Sequence, residues 1–290
     1  MHLLVGGGRG FIGGYVATEL ARRGHRVVVS GSDDTATIAT TGFDTLVWCG
    51  GRRGADPEAL HAAHVAAPLA TLGQSRARTI VYLSSGECYG NGEPPFREVS
   101  PLLGTSPYAR AKIEAEDALR QWAAERPGER SATALRLGVV YGPGQSGAML
   151  VPSLLAAIGR RQPFPATWGG QTRDLVAAED VARAVAACLG THARAETDPC
   201  AWRAYNIASG HETRVADVIG AVLAAAATAT GEPIAALAGL VQLGALPYRE
   251  NEQMRYVLAV ERAAADLGWR AEVPLAAGLA ATVRAALATR

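Results

Sequence analysis

Tyr108 and Lys112 stand four apart in the sequence, with Ser84-Ser85 some way upstream. On a helix, residues at that spacing share one face. A phenol with an ordinary pKa of about 10 is a poor acid or base at neutral pH. A cation beside it favours the phenolate and lowers that value. A serine hydroxyl at a neighbouring strand end can hold a substrate oxygen against the phenol. The set suits hydride chemistry on an alcohol or a ketone. A Tyr-x-x-x-Lys spacing alone is equally what a packed helix offers, so its weight rests on the elements that must position it.

Those elements begin at the N-terminus. Leu3-Leu4-Val5 is a short apolar run, followed by the glycine turn Gly6 to Gly14 and a helical pattern through Tyr15, Val16 and Leu20. A second strand spans His25 to Val29. In this strand–turn–helix–strand context Gly7, Gly10 and Gly13, with Arg9, Phe11 and Ile12 between them, mark a dinucleotide site. Backbone N–H groups there can approach a pyrophosphate at the positive end of the helix. The second strand runs out at Ser30-Gly31-Ser32, and the acids Asp33-Asp34 come after it. Ser30 and Ser32, with Arg9, would admit a ribose 2′-phosphate, which favours NADP(H). Asp33 reaching the ribose hydroxyl keeps NAD(H) open.

Further strands are expected over 43–51, 78–84, 131–140, 171–176 and 205–207, and helices over 57–73, 108–125, 149–160, 178–189, 215–226, 260–267 and 275–287. The alternation argues a mainly parallel α/β sheet. The stretch 35–42 is short for a full crossover, so one unit reads as trimmed. Ser85 falls at the carboxyl end of a strand, where open α/β sheets place active groups. The Gly- and Pro-rich stretch 91–107 is a loop, and the Tyr108 helix follows it.

Composition sets outer bounds. A chain of 290 residues with 49% hydrophobic and 19% charged residues is globular. Its net charge of +1 gives no reason to invoke nucleic acid or a membrane surface. The start goes directly into a glycine turn, unlike a signal peptide, and the apolar stretch 218–230 is too short to cross a bilayer. The four cysteines lack metal or redox spacing and read as reduced thiols in a cytoplasmic protein. His61 and His64 sit one turn apart, but no third metal ligand is evident.

Together, Gly7-x-x-Gly10-x-x-Gly13, Ser84-Ser85-x-x-x-Tyr89-Gly90, Tyr108-x-x-x-Lys112, Arg136 before Tyr141-Gly142-Pro143, and Arg173-Asp174 before Glu179-Asp180-Val181-Ala182 resemble the extended short-chain dehydrogenase/reductase family. That group contains nucleotide-sugar epimerases, dehydratases and reductases. The resemblance covers the whole chain, including a tail similar to the family's end at Leu267-Gly268-Trp269. It implies a Rossmann-type doubly wound sheet over 1–142 plus 173–208. A small interleaved C-terminal substrate-binding domain would cover 143–172 plus 209–290. It further implies Tyr108 as general acid/base, Lys112 lowering its pKa and binding the nicotinamide ribose, Ser85 holding the substrate oxygen, and a homodimer formed near 57–73 and 105–125. Arg173 and Glu87 join Ser85 as substrate-binding residues on the same resemblance.

Three departures narrow the function. His64-Val65 stands where the family often has Asn-Val, so a proton relay there is altered. Val139 replaces an Asn that often contacts the diphosphate. Gly86-Glu87 stands where the 4,6-dehydratases carry Asp-Glu, so the acid for removing water is missing. Glu87 is either a catalytic carboxylate or a solvated turn acid. The resulting expectation is an NAD(P)-dependent oxidoreductase on a nucleotide sugar, with reduction of a 4-keto-6-deoxysugar favoured. A 4-epimerase or decarboxylase with retained NAD and a non-catalytic cofactor sensor are the alternatives.

Overall fold

The computed structural model describes residues 1–31, 42–192 and 202–288. Ser32, Asp33, Asp34 and the short stretch expected to be a trimmed crossover lie outside them, except Gly42.

Six parallel strands form the central sheet: β1 (His2–Gly6), β2 (Arg26–Ser30), β3 (Thr45–Trp48), β4 (Thr79–Ser85), β5 (Ser131–Leu137) and β10 (Trp202–Ile207). Their order is β10-β5-β4-β3-β1-β2. Strands buried on both faces read as continuous apolar runs, and those of this sheet do. Leu3, Val5, Val47, Val81, Leu83 and Leu135 face one way, towards helix α1 (Phe11–Arg22) and a helix that spans Ala178–His192. Leu4, Leu46, Ile80 and Tyr82 face the other way. There they meet α2, which occupies 57–73, and α3 (Pro107–Ala124). The chain leaves β1 to one side for β2 and then crosses to the other side for β3. That reversal opens a crevice at the carboxyl ends of β1 and β3.

The sequence suggests one unbroken helix over 57–73. The structure has two α-helical segments, Pro57–His61 and Ala67–Gly73, joined by a π turn, Ala62–Ala66. Such turns bulge the backbone and recur at functional sites. The strand expected over 131–140 also breaks. β5 stops at Leu137, and β6 (Val139–Tyr141) turns away to pair with β9 (Leu175–Ala177). The break is fixed by main-chain bonds, because Gly138 N–H goes to Ile207 and Val139 N–H goes to Asp174. The strand expected over 171–176 splits likewise into β8 (Thr172–Arg173) and β9, around the buried Asp174. Asp174 accepts bonds from Ser209, Gly210 and Leu258, tying three distant segments together.

A second apolar core lies beyond the sheet. It joins α4 (Leu150–Arg160), β7 (Phe164–Ala166), the helix now numbered α6 (Val215–Thr230) and α9 (Leu275–Ala288) through Leu154, Val218, Val222, Leu279 and Val283. α5 is the Ala178–His192 helix. Its Asp180 accepts backbone bonds from Glu272 and Val273, and its main-chain carbonyl accepts from the Trp269 indole. Trp269 itself packs into the sheet core. Asp180 of the Glu179-Asp180 motif is therefore a clasp on the C-terminal segment.

Candidate active site

The serine pair at the end of β4 divides its work. The Ser84 hydroxyl is buried and donates to Glu116 Oε1 at 2.5 Å. Ser85 begins the 3-10 turn Gly86–Tyr89 and accepts from Glu87 N–H at 3.1 Å. Its hydroxyl also acts on the Tyr108 phenol, favouring the phenolate. Ser85, and not Ser84, therefore faces the tyrosine.

Tyr108 sits in the first turn of α3, behind Pro107 and the N-cap Ser106, whose hydroxyl accepts from Ala109 N–H at 3.1 Å. Proline at N1 and a capping serine fix where this helix starts, and so where Tyr108 points. Ala109, Ala111 and Ala115 line its buried side. Such small side chains let the helix approach the sheet closely. Lys112 is carried inward with them and is 3% exposed. Its Nζ donates to the Leu83 carbonyl at 2.6 Å and lies 4.5 Å from the Tyr82 ring centroid and 5.8 Å from that of Tyr108. Burial pulls the ammonium down to about 8. Burial also dominates at Tyr108 and pushes its phenol up to about 12, against the Arg53 guanidinium and the Ser85 hydroxyl, which lower it. The Tyr-x-x-x-Lys spacing leads one to expect a phenol lowered by Lys112; here the lowering cation is Arg53, and desolvation outweighs it.

The turn after Ser85 explains the missing acid. A side chain at Gly86 would overlap the hydroxyl of Tyr256, which is buried and comes from a segment 170 positions further on. An aspartate at 86 has no room. Glu87 Oε1 accepts from the Ser106 hydroxyl at 2.7 Å, and Oε2 lies 3.8 Å from the Arg53 guanidinium. It thus bonds the N-cap of the Tyr108 helix, more than a solvated turn acid would.

The platform beneath is a buried ion pair. Arg136 on β5 donates to both Glu116 oxygens, to the Tyr89 hydroxyl at 3.1 Å and to the Glu98 carbonyl at 2.9 Å. Tyr89 in turn donates to Asn206 at 2.6 Å. This network joins α3, β4, β5 and β10 under the Ser85 turn.

At the other end of the crevice, Gly10 caps α1, and the approach of helix to turn leaves no space for a side chain at Gly13. Arg9 is exposed; Phe11 stacks edge-on against Tyr15, and Ile12 packs on the sheet core. Arg173 is bound within the protein, to Glu252 and to the carbonyls of Thr172 and Gln253. The structure does not bring it into the set around Tyr108. A cavity of about 300 Å³ edged by Gln145, Ser153 and Thr282 includes none of Ser85, Tyr108 or Lys112. Among the described residues no cluster of His, Cys, Asp and Glu is arranged to hold a metal, and no helix is long and apolar enough to cross a membrane.

Residues 3–208 match the model of the NAD dependent epimerase/dehydratase family. The chain belongs to that family. It is 26% identical over 208 residues to a dTDP-glucose 4,6-dehydratase of Neisseria gonorrhoeae, covering 70% of this chain and 58% of the relative. It is 29% identical over 180 residues to a dTDP-L-rhamnose 4-epimerase of Burkholderia thailandensis, covering 60% of this chain and 44% of the relative. The matched stretch thus spans about half the length of those curated relatives. Among solved structures, the fold is shared with DesIV, the dTDP-glucose 4,6-dehydratase of Streptomyces venezuelae with NAD and TYD bound. That likeness has a TM-score of 0.84 at 22% identity and covers 100% of this chain and 98% of that one. A UDP-glucose-4-epimerase from Stenotrophomonas maltophila gives the same TM-score, 0.84, at 20% identity, over 100% and 98% of the two chains.

The residues present fit a family dinucleotide. The Gly7–Gly13 turn presents backbone amides at the start of α1. The buried Ser30 hydroxyl at the end of β2 has no hydrogen-bond partner among the described residues. A ribose hydroxyl would satisfy it. Sequence reasoning missed three groups: Arg53 over the Tyr108 ring, Tyr256 behind Gly86, and Glu116 under Ser84. Each comes from a segment remote in sequence. Only the bare Gly86 hinted at one of them.

Proposed function

We propose that this chain is an NAD(P)-dependent oxidoreductase acting on a nucleotide-activated sugar, and that it reduces a 4-keto-6-deoxysugar. The observation that carries the reading is the set Ser85, Tyr108 and Lys112 on one side of the crevice, combined with a Gly86 position closed by Tyr256. The set serves alcohol–ketone interconversion, while the acid needed to expel water has no space. Bound nicotinamide supplies the hydride. Ser85 holds the carbonyl oxygen, and Tyr108 donates a proton to that oxygen as charge builds on it. Lys112 keeps a positive charge beneath the phenol. The glycine turn and Ser30 hold the dinucleotide. The second core, over α4, α6 and α9, would close on the sugar. Small residues at the end of β2 support NADP(H) over NAD(H).

The test is to mix the purified chain with dTDP-4-keto-6-deoxyglucose and NADPH or NADH, and to follow nicotinamide absorbance. Stoichiometric loss of reduced dinucleotide supports the reading. A second reading, a 4-epimerase with retained NAD, draws support from the similarity to the rhamnose 4-epimerase. It predicts C4 interconversion without net consumption.

A further inference from the structure

The loop that leaves β3 carries Arg52 and Arg53 across the face of the Tyr108 helix. The Arg53 guanidinium lies 4.8 Å from the Tyr108 ring centroid. Its Nη1 is 3.8 Å from Glu87 Oε2, and the two side chains are 60% and 43% exposed. Glu87 is itself tied to Ser106, the cap of the Tyr108 helix. The loop is pinned from below. His64 Nε2 bonds the Arg52 carbonyl at 2.9 Å, which makes that nitrogen the donor. The His64 ring meets Tyr108 edge to face, with centroids 5.4 Å apart and planes at 83°. His64 is 2% exposed and stands in the π turn of α2.

We propose that Arg53 is a positioning residue for the reaction: held over the Tyr108 ring by Glu87 and by the His64-pinned loop, it makes the phenol a better proton donor. This rests on the reading of Tyr108 as the acid. A phenolate spreads charge into its ring, and a guanidinium on the ring face stabilises that charge. The other titratable groups around the ring work differently. Glu87 and Cys88 oppose the phenolate, and Tyr82 couples to Tyr108 in the same unfavourable sense. His64 is held down to about 4, chiefly by burial, so it is neutral at physiological pH and adds no charge. Lys112 is anchored to the Leu83 carbonyl, further from the ring than Arg53. Arg53 is thus the adjustable cation, and its exposed side chain can be changed without opening the core.

The experiment compares wild type with Arg53→Ala, Arg53→Lys and Tyr108→Phe. Turnover of dTDP-4-keto-6-deoxyglucose is recorded against pH. In parallel, the Tyr108 resonance is followed in protein labelled with ¹³C at the tyrosine ζ carbon and assigned by its loss in Tyr108→Phe. Reduction needs the protonated phenol, which burial pushes up to about 12. The Tyr108 phenolate is therefore read at its onset near pH ~11, where Arg53→Ala moves the resonance less towards the phenolate than wild type does. kcat near neutrality drops by roughly three- to tenfold, with KM little changed. Arg53→Lys recovers most of the shift. An Arg53→Ala resonance that moves as far as that of wild type, or a rise in KM alone, overturns the proposal. Turnover by Tyr108→Phe at the wild-type rate overturns instead the reading of Tyr108. The resonance titration decides on Arg53 even where this sugar is not turned over.

Discussion

Replacing Lys112 by methionine should abolish turnover yet leave the fold as stable as before, or more so. Burial holds the ammonium near 8, against an ordinary value of 10.5. That gap corresponds to about 3 kcal/mol of cost to the folded state at neutral pH. Methionine removes it at nearly constant volume. The change also strips the Leu83 carbonyl of its donor, a loss of about 1–3 kcal/mol for a buried acceptor. The net result near pH 7 is a variant between equal to wild type and roughly 2 kcal/mol more stable. The sign with pH follows from proton counts. Between about pH 8 and 10.5 the folded lysine has lost its proton while the unfolded one keeps it. The unfolded state binds more protons, so this group's contribution to stability rises through that window. Urea unfolding of both proteins across that range isolates Lys112, because every other group is common to both. The variant's advantage should shrink by about 3 kcal/mol from the bottom to the top of the window. A difference that stays flat with pH would refute the claim that desolvation dominates at Lys112. A large loss of stability at neutral pH would show that its bond to Leu83 outweighs its burial.

Four further outcomes follow from the same geometry. Tyr108→Phe should lower kcat by about 10²- to 10⁴-fold while titration calorimetry shows dinucleotide still bound. Glu116→Ala leaves Arg136 buried without its ion-pair partner and should cost about 3–5 kcal/mol in urea unfolding; Glu116→Gln, which keeps one acceptor oxygen for Arg136, should cost less. Gly86→Ala forces a methyl into the Tyr256 hydroxyl and should cost about 1–3 kcal/mol, a loss that Tyr256→Phe partly relieves in the double variant. Ser30→Ala should leave the unliganded protein no less stable, since its hydroxyl has no partner among the described residues, but weaken dinucleotide affinity by about fivefold, as calorimetry would show.

The parts of this molecule that follow from local chemistry are legible in the sequence. Gly7, Gly10 and Gly13 announce a turn between a strand and a helix because backbone geometry demands it. Tyr108 and Lys112 are paired by helical spacing alone. The alternation of apolar strands and helices is enough to place the parallel sheet. What is not legible depends on contacts across long separations. Nothing near Arg53 marks it as lying over Tyr108, since a loop between Gly51 and Gly54 reads as solvated. Tyr256 belongs to a segment without pattern, so Gly86 shows that an acid is missing but not what fills its place. The motif singles out Ser85, but nothing near Ser84 marks its partner Glu116, 32 positions away. The π turn at Ala62–Ala66 carries no glycine or proline, so the stretch reads as plain helix. Arg173 is legible from its place in the motif, but its partners are not, because Glu252 and the Gln253 carbonyl lie 79 and 80 positions away.

The central claim is that Tyr108 protonates a ketone reduced at the expense of nicotinamide. The most direct measurement is single-substrate stoichiometry: dTDP-4-keto-6-deoxyglucose with NADPH or NADH, wild type beside Tyr108→Phe, counting dinucleotide consumed and 4-hydroxy sugar formed. The account predicts one dinucleotide consumed per sugar reduced in wild type and almost none in the variant. Interconversion at C4 without net consumption, or an unimpaired Tyr108→Phe, would contradict it.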